Sequence, residues 1–124
     1  MDRAQAAEWL DRYIDAWKTY DRAAIAALFN EDAEYRYHPY DEPPVRGRDA
    51  IAADWLDDRD EPGTFEASYA PVAVDGDVVV ATGTSTYRSS NGKPGRIFDN
   101  CFVMRFDDSG RCSSFTEWYM ERPN

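Results

Sequence analysis

Two side chains in this sequence are of a type and setting that could move a proton. His38 is the single histidine and stands inside YRYHPYDEPP, residues 35–44. Glu117 falls in FTEWY, residues 115–119, where its neighbours are aromatic or β-branched. An imidazole titrates near neutrality when unperturbed. A carboxylate on an apolar face is raised by desolvation toward the range where it serves as acid or base. Plainer readings stand beside both. His38, next to Pro39, also suits a rim residue bonded to backbone. Glu117 also suits a cap on a buried network with Asn100 and Tyr119, or a partner for an arginine from the helices. Tyr35 and Tyr37 share the strand face opposite Glu34, Arg36 and His38, so the tyrosines are expected in the core.

The surrounding elements decide between these readings. Trp9, Tyr13 and Trp17 recur every fourth position beside Leu10 and Ile14, which predicts a helix over 3–18 with Asp2 as its N-cap. Asp21 is expected to cap a short second helix that buries Ile25, Leu28 and Phe29 and ends at Asn30. A strand over 33–38 stops at Pro39. After Pro43-Pro44 and Gly47, a third helix is expected over 48–59 with Ile51, Ala52, Trp55 and Leu56 inward, and Glu61-Pro62-Gly63 closes that half.

Residues 64–74, 77–88, 96–107 and 111–121 have strand composition. Turn chemistry separates them at Asp75-Gly76, at Asn91-Gly92 with Pro94-Gly95, and at Asp107-Asp108-Ser109-Gly110. Short connections make an antiparallel meander, and strands this long must curve. Pro71 and Gly83 suit a bulge or bend. The expectation is one α+β domain over 1–124, its helices on the concave face of a strongly curved sheet, with a pocket at the mouth.

A four-residue loop at 107–110 would pair Phe106 with Arg111 and Asn100 with Glu117. One face then carries Phe98, Asn100, Phe102, Met104, Phe106, Phe115, Glu117 and Tyr119. The other carries Asp99, Cys101, Val103, Arg105, Thr116, Trp118 and Met120, and suits solvent or a partner subunit. Cys101 opposite Thr116 and Cys112 opposite Arg105 stand about 13 Å apart by strand rise. A disulfide spans only about 7 Å between α-carbons, so two free thiols are expected.

Twenty-four acidic against fourteen basic residues give a net charge of −10. That field repels phosphate backbones and anionic lipid, so neither nucleic acid nor a membrane surface is an expected partner. No apolar run approaches the roughly 18 residues of a membrane span. The start MDRAQAAEW has no leader pattern, and a cytoplasmic location is expected. One histidine and two separated cysteines match no zinc spacing. The acids Asp54, Asp57, Asp58, Asp60 and Glu61 read as a solvated helix face rather than a calcium loop. Neither metal nor cofactor is expected.

WLDRYIDAWKTYDRAAIAALFNEDAEYRYHP, VRGRDAIAADWL and FVMRFDDSGR together resemble the nuclear transport factor 2-like superfamily, in its SnoaL-like, ketosteroid-isomerase-like branch, over nearly the whole chain. The resemblance implies a cone-shaped α+β barrel with an internal pocket, paired as a homodimer through the outer sheet face. The isomerase's oxyanion-binding tyrosine falls at Tyr13, its supporting tyrosine at Trp55, its base at His38 and its second acid at Phe102. One oxyanion donor is therefore missing, and steroid isomerisation is not expected. The histidines of the scytalone-dehydratase type and the Asp-Arg-Asp set of the limonene-epoxide-hydrolase type find no match. The polyketide-cyclase type needs one acid/base group in an apolar pocket, which His38 or Glu117 supplies.

The expectation is thus cofactor-free isomerisation, cyclisation or hydration of a small, largely apolar or aromatic carbonyl compound. Tyr13 would serve the oxyanion and His38 or Glu117 the proton. Asn100 would orient Glu117, and Trp9, Trp17, Trp55, Phe102, Phe115 and Tyr119 would shape the cavity. The alternative is a non-catalytic ligand-binding or dimerisation module.

Overall fold

The computed structural model describes residues 1–61, 63–89 and 95–123. Helix α1 (Arg3–Thr19) opens on Asp2, whose carboxylate accepts from the Gln5 backbone N–H at 2.8 Å while the Gln5 side chain accepts from the Asp2 backbone. This reciprocal box satisfies two of the free N–H groups at the helix start. Its inner face buries Trp9, Leu10 and Tyr13, and the Trp9 indole N–H donates to the Leu28 carbonyl at 3.0 Å.

Helix α2 (Arg22–Ala27) ends earlier than expected, and strand β1 (Phe29–Arg36) begins at once. Asp21 sits at the N-cap position without a side-chain cap bond, and Asn30 lies inside the strand rather than ending the helix. Pairing of Phe29 with Cys112 on the last strand outweighs the local preference for a cap at Asn30. After the two-residue strand β2 (Val45–Arg46), helix α3 (Arg48–Asp57) buries Ile51, Ala52 and Trp55, with Leu56 partly buried beside them.

Strands β3 (Phe65–Asp75), β4 (Val78–Tyr87), β5 (Arg96–Phe106) and β6 (Cys112–Glu121) form the expected antiparallel meander. The sheet order is β2-β1-β6-β5-β4-β3, with β1 parallel to β6, and the sheet stays open at β2 and β3. Residues Asn91, Gly92 and Pro94, expected as a turn, and Pro62 lie outside the described residues. No helix among the described residues is long and apolar enough to cross a membrane.

The register of β5 against β6 corrects the expected pairing without changing the faces. Asn100 stands opposite Tyr119, and Glu117 opposite Phe102. Two insertions cause the shift. Asp107 closes a loop running to Arg111, its N–H donating to the Arg111 carbonyl at 2.8 Å, and Phe106 therefore pairs with Cys112. A bulge then leaves Ser113 unpaired, since Arg105 pairs with Ser114. Each adds one residue, the sum is even, and side-chain alternation is restored.

Between the two insertions, Cys112 turns inward opposite Phe106 instead of facing Arg105, and it is fully buried. Cys101 faces Trp118 rather than Thr116, and both thiols are free.

A further bulge lies between Pro71 and Ala73 on β3, where the Pro71 carbonyl accepts from Arg3 of α1 at 2.7 Å. Gly83, directly opposite Tyr69, has no room for a side chain. A β-carbon there would meet the Ser68 carbonyl and the Tyr69 ring, and would lie 2.7 Å from the Tyr69 Cα. Backbone cannot yield as a side-chain tip can, so Gly83→Ala is expected to cost more than about 3 kcal/mol in urea unfolding. A loss under about 1 kcal/mol would show that β3 and β4 are not this closely paired there.

Candidate functional site

The site is built from cross-strand rungs. One fully packed rung runs Val79, Met104, Phe115 and Tyr35 across β4, β5, β6 and β1, with every member at most 2% exposed. Tyr13 of α1 and Tyr35 both stack on Phe115, at centroid distances of 5.5 and 4.5 Å. The next rung is Ala81, Phe102 and Glu117, and the one after is Tyr69, Gly83, Asn100 and Tyr119. Because Gly83 presents no side chain, Tyr69 and Asn100 reach each other across it, and the Asn100 amide donates to the Tyr69 hydroxyl at 2.9 Å and to Ser85 Oγ at 2.8 Å. The Tyr69 and Ser85 hydroxyls bond in turn.

Above this packed rung the structure opens into a cavity of about 430 Å³. Its sheet wall includes Tyr69, Ser85, Phe98, Asn100, Glu117 and Tyr119. Facing them are Tyr13, Trp17 and Tyr20 from α1 and its end, and Asp54, Trp55, Asp58 and Asp60 from α3 and the residues after it. Tyr35 and Tyr37 contribute from β1 and beyond it, and Tyr87 and Arg96 stand on the outermost rung.

Of the side chains expected to form the site, Tyr13, Trp17, Trp55, Asn100, Glu117 and Tyr119 line this cavity. Trp9, Phe102 and Phe115 do not. They are at most 1% exposed and form the packed floor, because the helix and both strands turn them into the hydrophobic core. His38 also lies outside the lining. It follows β1 on the strand face opposite Tyr35 and Tyr37, as alternation requires. Its Nδ1 meets the Asp41 carboxylate at 3.2 Å and its Nε2 meets the Tyr119 hydroxyl at 2.8 Å, so the imidazole braces a lining residue from outside.

The expected orientation of Glu117 by Asn100 is corrected by the register: Asn100 is one rung away and is engaged with Tyr69 and Ser85. Among the described residues no hydrogen bond or ion pair reaches the Glu117 carboxylate. Burial alone pushes its pKa up to about 7. Its charge, second to their own burial or lower in rank, helps hold the Tyr13, Tyr35, Tyr37, Tyr69 and Tyr87 hydroxyls protonated. Tyr69 is raised to about 12, by burial first. At neutral pH these phenols are donors, not bases.

The acid run after Trp55 is also corrected in part. Asp57 and Glu61 are exposed as expected, but Asp54 accepts from the Tyr37 hydroxyl at 2.6 Å, and Asp60 accepts from the Trp17 indole N–H at 3.0 Å and from Tyr20. The signal was present: Ile51, Asp54, Trp55 and Asp58 recur at the spacing of one helix face. Tyr69, Ser85 and Tyr87 needed the β3–β4 register and the bulge at Pro71, which composition does not supply.

Glu117 holds its proton more tightly folded than unfolded. Folding therefore takes up a proton between the two pKa values, and stability falls as pH rises from 4.5 to about 7. The shift corresponds to a loss of up to about 3 kcal/mol. Asp99, Asp107 and Glu121, held low by bonds to Arg122, Ser109 and Arg96, titrate below that window. Urea unfolding of Glu117→Gln is expected to vary less between about pH 5 and about pH 8 than that of the parent chain. Parallel profiles would place the carboxylate in bulk water.

The sequence matches the model of the SnoaL-like domain over residues 10–115. No curated protein matches the chain. Among solved structures, an NTF-2 like protein of unknown function from Burkholderia xenovorans superposes with a TM-score of 0.72 at 20% identity, covering 98% of this chain and 87% of that one. An LEH-like epoxide hydrolase from M. tuberculosis gives 0.67 at 18% identity, with 95% and 84% covered. An NTF2-like protein of unknown function from Cytophaga hutchinsonii gives 0.68 at 15% identity, with 92% and 98% covered. At these identities the structures share the fold. The open six-stranded sheet under three N-terminal helices and the match over most of the chain make it a member of the SnoaL-like domain family.

Proposed function

We propose that the chain binds a small organic molecule in the tyrosine-lined cavity and moves a proton on it through Glu117, without a cofactor. The observation that carries this reading is a half-buried carboxyl group in a cavity wall, with no hydrogen bond or ion pair to it among the described residues and a pKa pushed up to about 7 by desolvation. Such a group has no structural partner to serve, and its two protonation states are close in energy at neutral pH, which is what general acid/base work requires.

Tyr13 is the proposed donor to developing negative charge. Burial keeps it protonated, it lines the cavity, and its hydroxyl lies 3.3 Å from that of Tyr35, which supports it from behind. Trp17 and Trp55 line the cavity and offer apolar surface to a ligand. His38 enters the proposal as a positioning residue acting through Tyr119. The proposed reaction class is acid/base chemistry without a cofactor: proton abstraction next to a carbonyl, isomerisation, cyclisation or addition of water. The homodimer implied by the resemblance remains part of the proposal. Its surface is the outer face of β5 and β6, where Trp118 is 44% and Met120 75% exposed.

Deuterium exchange tests the chemistry without a known substrate. Proton NMR in D2O would follow loss of α-protons from acetophenone, cyclohexenone and tetralone. The parent chain is expected to accelerate exchange of at least one above buffer, Glu117→Gln to lose that acceleration by about a hundredfold, and Tyr13→Phe by about tenfold. Equal rates with and without protein for all three ketones would remove the catalytic part of the proposal.

A further inference from the structure

The single histidine of the chain has a partner on each ring nitrogen, and one of those partners belongs to the cavity wall. The run His38-Pro39-Tyr40-Asp41 turns back on itself, the Asp41 backbone N–H donating to the His38 carbonyl at 3.1 Å. The turn brings the Asp41 carboxylate against its own histidine. One oxygen accepts from the His38 backbone N–H at 3.1 Å, and both stand 3.2 Å from Nδ1. Tyr40 stacks on the imidazole at a centroid distance of 5.0 Å and an interplanar angle of 12°. On the far side of the ring, Nε2 lies 2.8 Å from the Tyr119 hydroxyl.

This arrangement decides where two protons go. An ionised carboxylate only accepts, and a neutral imidazole carries one N–H and one bare nitrogen. Asp41 therefore draws the ring proton to Nδ1, and Nε2 is left as an acceptor. The Tyr119 hydroxyl must then donate to Nε2, and its oxygen keeps only lone pairs for anything else. Tyr119 lines the cavity, is 47% exposed, and makes its bond to His38 at the surface, so that oxygen is within reach of a ligand at the mouth. The inner end of the wall differs. Tyr13, kept protonated by burial, stacks on Phe115, four residues before Tyr119 on the same strand, with Glu117 between them.

We infer that Tyr119 is a specificity residue: with its proton committed to His38 it accepts from the ligand, and the cavity prefers a carbonyl compound carrying a hydroxyl or amide N–H at the end remote from the carbonyl. His38 and Asp41 are positioning residues that set the direction of this bond. The inference rests on the ligand reading proposed above and not on turnover.

Two ketones of similar shape, para-(hydroxymethyl)acetophenone and para-(methoxymethyl)acetophenone, differ in whether the far end has a proton to give. In calorimetric titration at pH about 8, the alcohol is expected to bind the parent chain about tenfold more tightly, because the ether sets a second acceptor against Tyr119. Tyr119→Phe is expected to bring the two within about twofold. In Asp41→Asn the amide oxygen stays on the His38 backbone N–H and its NH2 faces Nδ1, which moves the ring proton to Nε2 and releases that of Tyr119. The ether is then expected to bind about fivefold more tightly than it does to the parent chain, whereas a loss of packing alone would weaken both ketones together. Equal affinities in the parent chain, or a preference that survives either substitution, would overturn the inference and leave the ligand site standing. Failure of both ketones to bind would overturn both. Heteronuclear NMR of the one imidazole, in protein without a histidine tag, needs no variant: a proton on Nδ1 and a bare Nε2 are expected at the same pH, and a proton on Nε2 would overturn the inference.

Discussion

Alternation along β5 and β6 is the constraint from which the site follows. Successive side chains on a strand point to opposite faces, so a single uncompensated insertion would send Glu117 to solvent and Trp118 beneath the helices. Two insertions occur, the fifth loop residue and the bulge at Ser113, and they cancel. Phe102, Phe115 and Asn100 stay inside with Glu117, while Trp118 and Met120 stay out. Cys112, caught between the insertions, is the residue that changes side.

Within that alternation, the depth of a rung sets its chemistry. One rung is filled by Phe115, Met104, Val79 and Tyr35, with Tyr13 stacked on Phe115, and its two tyrosines reach the cavity from the packed floor. One rung higher, β6 carries an acid where an apolar residue would have continued the core. Another rung higher, Gly83 withholds a side chain and lets Tyr69 and Asn100 meet across β4. The transition from packed core to hollow thus happens within two residues of strand. The same transition raises Glu117, because its carboxylate is partly withdrawn from water and receives no bond from the packed core.

The helices complete the wall by contributing charge and rings rather than bulk. Asp54 and Asp60 accept from Tyr37, Trp17 and Tyr20, so the rim acids also fix the aromatic side chains that shape the opening. His38 does a related service from outside: Asp41 on Nδ1 leaves Nε2 to meet Tyr119, holding that ring at the edge of the cavity. A histidine that is a candidate base by type is placed by alternation outside the cavity lining, against the Tyr119 hydroxyl.

Helix periodicity, strand composition and turn residues were sufficient for the α+β order of elements, the meander and the inward face that includes Glu117. Those features depend on local geometry and on a period of two or 3.6, both written in the residues themselves. The exact pairing of Asn100 and Glu117, the early start of β1 at Phe29 and the parallel joining of β1 to β6 depended on contacts between segments far apart in the chain. So did the separation of floor from wall, which assigned Trp9, Phe102 and Phe115 to packing and brought Tyr69, Ser85 and Asp60 to the cavity. Sequence determined which way the side chains of the β5–β6 inner face point, Cys112 excepted. Depth was decided only by the folded sheet and helices, because depth depends on what lies above a residue, and that comes from elsewhere in the chain.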